Sequence, residues 1–146
     1  DHVSPLGGIH AGLAVARAPL CFITGTDYPF LSGKVVELAI SRIRDRNAAA
    51  AAIYDVGGIL QPFHSAWSRE DWMQVVEDAL VNGERSPTQV LKKAVNNRVP
   101  PVDILDGSDL EAVDPNGISF FNINTPERLE EAEAILKKSD TNRIVQ

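Results

Sequence analysis

Apolar and polar residues alternate in blocks along this chain, and each block predicts one helix or strand. The run PLCFIT, Pro19–Thr24, is continuously apolar. Such a run is typical of a strand buried on both faces, as in a parallel sheet. In GKVVELAISRIRDRN, Gly33–Asn47, apolar residues recur with the helical period. The runs AAAAAIYDV and ILQPF flank Gly57 and Gly58, which predicts a hairpin.

Helix-start signals divide the rest of the chain. Ser68 precedes an amphipathic run that ends at Gly83, and the pairs Ser86-Pro87 and Thr125-Pro126 each combine a cap with a proline at the first helical position. GGIHAGLAVARA near the start predicts another helix, while VDIL and ISFFNIN predict strands. The order is helix, strand, helix, hairpin, helix, helix, strand, strand, helix, a layered α/β pattern. Residues 1–146 are interpreted as a single domain.

Composition narrows the classes of partner. Fourteen basic and 20 acidic residues give a formal net charge of −6, which argues against a nucleic-acid binder. A small phosphorylated ligand stays open, because one metal ion and a few backbone amides suffice to hold it. A lone cysteine, Cys21, forms no intrachain disulfide, and no apolar stretch reaches membrane-spanning length. His2, His10 and His64 lack zinc-binding spacing.

Asp27, in the segment GTDYPF, is the first candidate for chemistry. It follows the predicted strand directly, and ligands of open α/β sheets bind beyond the carboxyl ends of strands. Pro29 keeps Tyr28 extended, so the segment does not continue as a helix. A carboxylate at this edge could hold Mg²⁺, which takes oxygen ligands and shares them with phosphates. The alternative is a turn aspartate that bonds to its own backbone.

Two further stretches are candidate ligand contacts. Gly7 and Gly8 would let the backbone approach a ligand, and the helix that follows would aim its first amides at an anion. The alternative is a plain turn before a helix. Asn122 and Asn124 point to the same face of an extended chain, with Ile123 on the other. They could bind a polar ligand or complete a metal shell, or they could serve only as loop and capping residues.

Taken together, the stretches resemble a known family. PLGGIHAGL, TDYPFL, QPFHSAWS, NGERSP and FFNINTPERLEEAE occur in the order and approximate spacing found in the molybdenum cofactor guanylyltransferases. The resemblance implies a Rossmann-like three-layer α/β fold with a mostly parallel sheet. It implies a cytoplasmic, Mg²⁺-dependent transfer of GMP from GTP to molybdenum-molybdopterin, with release of pyrophosphate. The resemblance implies molybdoenzymes or cofactor-delivery proteins as partners. It implies no binding to nucleic acid or to a membrane.

The resemblance also assigns site residues. Asp27 matches the metal-binding and catalytic aspartate, and Gly7 and Gly8 match the loop that lines the guanine nucleotide pocket. Asp1 matches an acidic guanine contact upstream of that loop. The molybdopterin side of the site comprises Arg85, Asn122 and Asn124.

The chain also departs from the family pattern. Ser4 replaces a glycine, and Gly25 and Thr26 replace a Pro-Cys pair. The family's glycine-rich loop and phosphate-binding lysine have no match, so the fold is expected to be incomplete at the N-terminus. Residues 1–146 alone are then expected to bind GTP–Mg²⁺ weakly, to transfer nothing and to self-associate. Two alternatives stay open: a non-catalytic regulatory or cofactor-binding remnant, and a cytidylyl or sugar-phosphate nucleotidyltransferase.

Overall fold

The computed structural model describes residues 4–45 and 49–144. The strands are β1 (Leu20–Thr24), β2 (Ala51–Val56), β3 (Ile59–Ser68) and β4 (Val102–Leu105). The helices are α1 (Pro5–Val15), α2 (Gly33–Asp45), α3 (Arg69–Val81), α4 (Pro87–Asn97), α5 (Gly107–Glu111) and α6 (Pro126–Ile144), with a 3₁₀ turn at Ile118–Phe120. The predicted α/β order is confirmed up to β4. None of the helices in the described ranges has the length and hydrophobicity needed to cross a bilayer.

The four described strands form one mixed sheet in the order β1-β3-β2-β4. Strand β3 is antiparallel to both β1 and β2, whereas β2 and β4 are parallel. Strands β1, β2 and β4 therefore point in the same direction, and only β3 opposes them. The expected mostly parallel sheet is correct for strand direction but wrong for pairing, because β3 lies between β1 and β2. The carboxyl ends of β1, β2 and β4 all lie at the same end of the sheet, which we call the carboxyl edge.

Helices cover both faces of this sheet, as the predicted three-layer α/β fold requires. On one face, Ile53 and Trp67 pack with buried residues of α1, α3 and α4. On the other face, Tyr54 and Ala66 pack with α2 and α5. Successive residues of a strand point to opposite faces, so β2 divides its side chains between both cores and is buried along Ala51–Tyr54. The alanines of this run favour helix by propensity, but their small side chains suit a central strand beneath close-packed helices.

The predicted hairpin is present, and its glycines are needed. Gly57 and Gly58 connect β2 to β3 with φ values of 63° and 83°. Two-residue hairpin turns of this kind require positive φ at both positions, where glycine pays no steric penalty. The Gly58 amide also donates to the Asp55 carboxylate at 2.7 Å, which closes the turn.

Two strand predictions are wrong in part. Strand β1 contributes to both cores, Cys21 and Ile23 to one and Leu20 and Phe22 to the other, as expected of a strand covered on both faces. It is only half-buried, however, and among the described strands it pairs with β3 alone and antiparallel, not within a parallel sheet.

The run ISFFNIN forms a 3₁₀ turn followed by an irregular segment instead of a strand. The cause is Asp114, whose buried carboxylate accepts hydrogen bonds from the amides of Ile118 and Ser119 at 3.1 and 2.8 Å. These bonds turn the chain before it can extend.

Candidate functional site

Asp27 lies at the edge where β1, β2 and β4 end, three residues beyond Thr24. Its side chain is half-buried, and its carboxylate accepts no hydrogen bond from the part of the chain that the structure describes. The turn-aspartate alternative, which requires a bond to nearby backbone, therefore finds no support there. A Cβ atom added to Gly25 would lie 2.3 Å from Asp27 Oδ1, so the carboxylate folds back over a position that only glycine leaves open.

A cleft of about 440 Å³ opens next to this turn, between α1 and the end of β1. Gly8 and Gly12, one helical turn apart, present bare backbone to it, and Gly25 and Thr26 line the opposite side. A Cβ atom added at Gly8 or Gly12 would meet no other atom within 4 Å, so side chains there would project into open space. The walls of the cleft are mostly apolar, which suits a flat ring system better than a charged group.

The predicted anion site at the start of α1 is not available in this structure. The amide of Gly7 donates to Ser4 Oγ at 3.0 Å, and that of Gly8 donates to the Ser4 carbonyl at 2.9 Å. The Leu6 amide donates to the Arg85 carbonyl. Ser4, which stands where the family pattern has glycine, thus caps the helix, and Gly7 is buried in it. Asp1, predicted as a guanine contact, lies outside the described residues.

The asparagine segment lies beside Asp27. The Ile123 amide donates to the Asp27 carbonyl at 2.8 Å, which joins two positions far apart in sequence. Asn122 is half-buried and Asn124 is exposed. Arg128 of α6 fixes the segment, because its Nε donates to the Asn122 carbonyl at 3.3 Å and its guanidinium lies 3.7 Å from the centre of the Phe121 ring.

Arg85 is placed elsewhere by its hydrogen bonds. Its guanidinium donates to the carbonyls of Leu80 and Glu84 at 3.0 and 2.9 Å, which caps the end of α3. The amides of Arg85 and Ser86 both donate to Glu84 Oε1 at 2.8 Å, and these bonds hold the pKa of the Glu84 carboxyl below its ordinary value. The Gly-Glu-Arg segment therefore joins the ends of α3, α4 and α1. The structure places the backbone of Ile123, which stands between Asn122 and Asn124, against Asp27, but it gives Arg85 no described contact with any of them.

His64 is a buried residue at this site for which the sequence predicted no role beyond the absence of zinc-binding spacing. Its Nε2 lies 2.7 Å from the Ser119 carbonyl, and its ring contacts the rings of Tyr28 and Phe120 at centroid distances of 4.4 and 4.3 Å. Burial lowers the pKa of His64, so the ring is neutral near pH 7. Burial and the neighbouring Asp27 charge raise the pKa of Tyr28, whose phenol stays protonated. The one sequence signal was a histidine inside an apolar strand.

Asp27 is suited to a metal that needs few protein ligands. No group of three or more His, Cys, Asp or Glu side chains within the described residues could hold a metal. Mg²⁺ is commonly bound through one or two carboxylates and completes its shell with phosphate oxygens and water. A half-buried carboxylate that bonds to no described donor fits that role. A structural zinc or calcium site would need more ligating side chains than the described residues place at this end of the sheet.

Comparison with known proteins gives consistent results. The MobA-like NTP transferase domain family matches residues 1–99. A molybdenum cofactor guanylyltransferase of Desulfosudis oleivorans is 36% identical over 137 residues, which cover 94% of this chain and 63% of that protein. A probable molybdenum cofactor guanylyltransferase of Methanosarcina acetivorans is 27% identical over 130 residues, or 89% of this chain and 55% of the relative. The chain thus spans less than two thirds of these relatives.

Solved structures extend the comparison to the fold. Molybdopterin-guanine dinucleotide biosynthesis protein A from Archaeoglobus fulgidus superposes with a TM-score of 0.75 at 28% identity, covering 93% of this chain and 64% of that one. A 2-C-methyl-D-erythritol 4-phosphate cytidylyltransferase from Thermus thermophilus gives a TM-score of 0.64 over 90% of this chain and 69% of that one; at 17% identity, it shows only a shared fold. The family match spans well over half of the sequence, and the predicted Rossmann-like nucleotidyltransferase architecture is confirmed. This chain belongs to the MobA-like NTP transferase domain family.

Proposed function

We propose that the protein containing this chain transfers GMP from GTP to molybdenum-molybdopterin. The observation that carries the proposal is the position of Asp27. Asp27 lies where three co-directional strands end and next to a cleft lined by helix backbone. Its carbonyl accepts the amide of Ile123, which stands between Asn122 and Asn124. Ligands of open α/β sheets bind at such an edge. The named relatives act in the same chemistry, which supports reading this edge as a transfer site.

In the proposed reaction, an oxygen of the molybdopterin phosphate attacks the α-phosphorus of GTP. The bond from that phosphorus to the β-phosphate oxygen breaks, and pyrophosphate leaves with the electron pair. The cleft beside Gly8 and Gly12 would receive the base, and Asn122 and Asn124 would meet the acceptor with side-chain amides. The chain contributes positioning, which is the main demand of phosphoryl transfer.

Asp27 would hold the metal that the reaction requires, and we assign Mg²⁺ because a single carboxylate with phosphate ligands suits that ion. The bound ion would neutralise phosphate charge and polarise the phosphoryl group under attack. The carboxylate itself supplies the charge that fixes the ion at the sheet edge. Gly25 supports this by leaving space for the carboxylate.

The alternatives have less support. A cytidylyltransferase shares the fold at 17% identity, whereas a guanylyltransferase shares 36% of aligned residues. A non-catalytic role gives no function to a carboxylate that accepts no hydrogen bond from the described residues at the ligand-binding end of the sheet.

The direct test uses the natural protein that contains this chain. It is incubated with Mg²⁺, molybdenum-molybdopterin and either GTP or CTP, and the dinucleotide product and pyrophosphate are measured. We expect product with GTP, at least about tenfold faster than with CTP, and none when EDTA is added. Faster transfer from CTP would favour the cytidylyl alternative, and no transfer from either nucleotide would favour the non-catalytic one.

The asparagine pair predicts a separation of function from stability. We expect Asn122→Ala and Asn124→Ala each to raise the KM for molybdopterin by about tenfold, the loss of one or two hydrogen bonds, with little change in the KM for GTP. Ile123→Ala is the matched control, because it lies between them and is half-buried. It should lower the free energy of unfolding by about 1–2 kcal/mol, less than for a fully buried isoleucine. Equal effects of all three on thermal unfolding, without any on transfer, would favour a capping role.

Gly25→Ala is expected to displace the carboxylate of Asp27. The new Cβ atom would require Asp27 Oδ1 to move, and it would also lie 3.1 and 3.2 Å from two carbons of the Tyr28 ring, which must shift by a few tenths of an ångström. Both adjustments are made by side-chain atoms, so the cost to the fold is small. We therefore expect the Mg²⁺ concentration for half-maximal transfer to rise about tenfold while the urea midpoint stays nearly constant. Gly33→Ala serves as the control, since a Cβ there meets nothing within 4 Å. An unchanged Mg²⁺ requirement in Gly25→Ala would show that the carboxylate position is not critical.

A further inference from the structure

We propose that His64 is a positioning residue that fixes the Asp27 turn relative to the asparagine segment. The inference rests on the proposed function, because it concerns the alignment of the same site. His64 lies in β3, opposite Thr24 of β1, and its side chain is fully buried. It contacts neither the cleft nor any group that we assign to substrate, so its effect would act through other residues.

The contacts of His64 join the two segments that carry the site. On one side, its ring packs against Tyr28, the residue after Asp27, at 4.4 Å and in edge-to-face geometry. On the other side, its Nε2 lies 2.7 Å from the Ser119 carbonyl and its ring contacts Phe120. Because a carbonyl only accepts, Nε2 must carry the proton and donate. His64 Nδ1 has no hydrogen-bond partner among the described atoms, so Ser119 receives the one polar bond of the ring.

Ser119 is held tightly enough to transmit this contact. Its amide donates to the Asp114 carboxylate at 2.8 Å, and its hydroxyl accepts the Ser32 amide at 3.1 Å. With the bond from His64, three separate parts of the chain hold one buried residue. Ile123, four residues later, then donates to the Asp27 carbonyl. The Asp27 turn and the segment from Ser119 to Ile123 are therefore joined twice: once through His64, and once directly by the bond between Ile123 and Asp27.

An apolar ring would fill the space of His64 but would not hold Ser119. The Ser119 carbonyl would be left without its buried donor, and the segment that follows would lose one of its attachments. A displacement of about 1 Å in a group that aligns reactants can lower the rate by about 100-fold without weakening the fold in proportion. The expected signature is a lower kcat with a nearly constant KM for GTP.

The test compares His64→Phe and His64→Gln in the natural protein that contains this chain. Glutamine retains an N–H donor of similar reach, whereas phenylalanine retains only a ring. We expect His64→Phe to lower kcat for GMP transfer by 10- to 100-fold, with the KM for GTP within about threefold, and His64→Gln to recover most of the rate. Val76→Ala, a fully buried change in the opposite core, is the control for lost stability.

A second readout does not depend on activity. Hydrogen exchange of the Ile123 amide, followed by NMR, should accelerate at least about tenfold in His64→Phe. Val76→Ala, compared under conditions in which both variants have the same free energy of unfolding, should not show this acceleration. If the wild-type protein transfers no GMP, the proposed function fails, and faster exchange at Ile123 still supports the coupling. The proposal is overturned if His64→Phe leaves the exchange of Ile123 unchanged. It is also overturned if kcat of an active enzyme stays within twofold, or if His64→Gln is no better than His64→Phe.

Discussion

Replacing Asp27 by alanine is expected to abolish GMP transfer while leaving the fold nearly intact. The carboxylate is the group that we assign to the metal, and it makes no hydrogen bond with the described residues that its removal would break. We expect kcat/KM to fall at least about 1000-fold, which corresponds to about 4 kcal/mol of transition-state stabilisation. The free energy of unfolding should change by less than about 1 kcal/mol. Transfer assays at saturating Mg²⁺ and urea unfolding measure the two quantities.

Two control variants isolate the charge of Asp27. Asp27→Asn keeps the shape of the side chain but removes its charge and replaces one oxygen ligand by an NH2 group, so it should be almost as inactive as Asp27→Ala. Asp71→Ala removes an exposed carboxylate from the first turn of α3, away from the cleft, and should leave transfer unchanged. Near-normal turnover of Asp27→Ala with excess Mg²⁺ would rule out the metal role.

The largest loss of stability is expected from Trp72→Ala. The indole of Trp72 is fully buried, packs against Trp67 at a centroid distance of 4.4 Å, and donates from Nε1 to the Ala50 carbonyl at 3.1 Å. Truncation leaves a cavity that neighbouring helices cannot readily fill and an acceptor without this donor. We expect the free energy of unfolding to fall by about 3–5 kcal/mol, measured by urea denaturation at constant m-value.

Trp72→Phe separates packing from hydrogen bonding. Phenylalanine retains most of the buried ring but not the N–H donor, so a smaller loss of about 1–2 kcal/mol is expected. Met73→Ala, one residue along α3 and only half-buried, should cost less than Trp72→Ala. A loss below about 1 kcal/mol in Trp72→Ala would mean that the paired indoles are not the centre of this core.

Local signals in the sequence were sufficient for the elements that depend on local bonds. Ser68 and Ser86 cap α3 and α4 through their hydroxyls, as their positions before helical runs predicted. The Gly57-Gly58 turn follows from backbone geometry alone. Asp27 was placed correctly at a strand end because both the strand and the turn are encoded within a few residues.

Features that depend on distant residues were not predictable in the same way. The apolar run ISFFNIN favours a strand, but the carboxylate of Asp114 turns its first residues into a 3₁₀ turn. The half-buried state of β1 depends on which strands lie beside it. His64 shows the same limit, because its role depends on Tyr28 and Ser119, neither of which is near it in sequence.

The bond between the Ile123 amide and the Asp27 carbonyl also constrains the order of folding. It closes a loop of roughly 96 residues, which carries an entropic cost that only a largely folded sheet can offset. The strand hairpin and the capped helices form from residues that are close in sequence, whereas this contact must wait until Ile123 has been synthesised. During synthesis, a nascent chain that has not yet emerged beyond Ile123 has its sheet core but no assembled site. Such an intermediate would lack the attachment that holds the asparagine segment beside Asp27 until Ile123 has been synthesised.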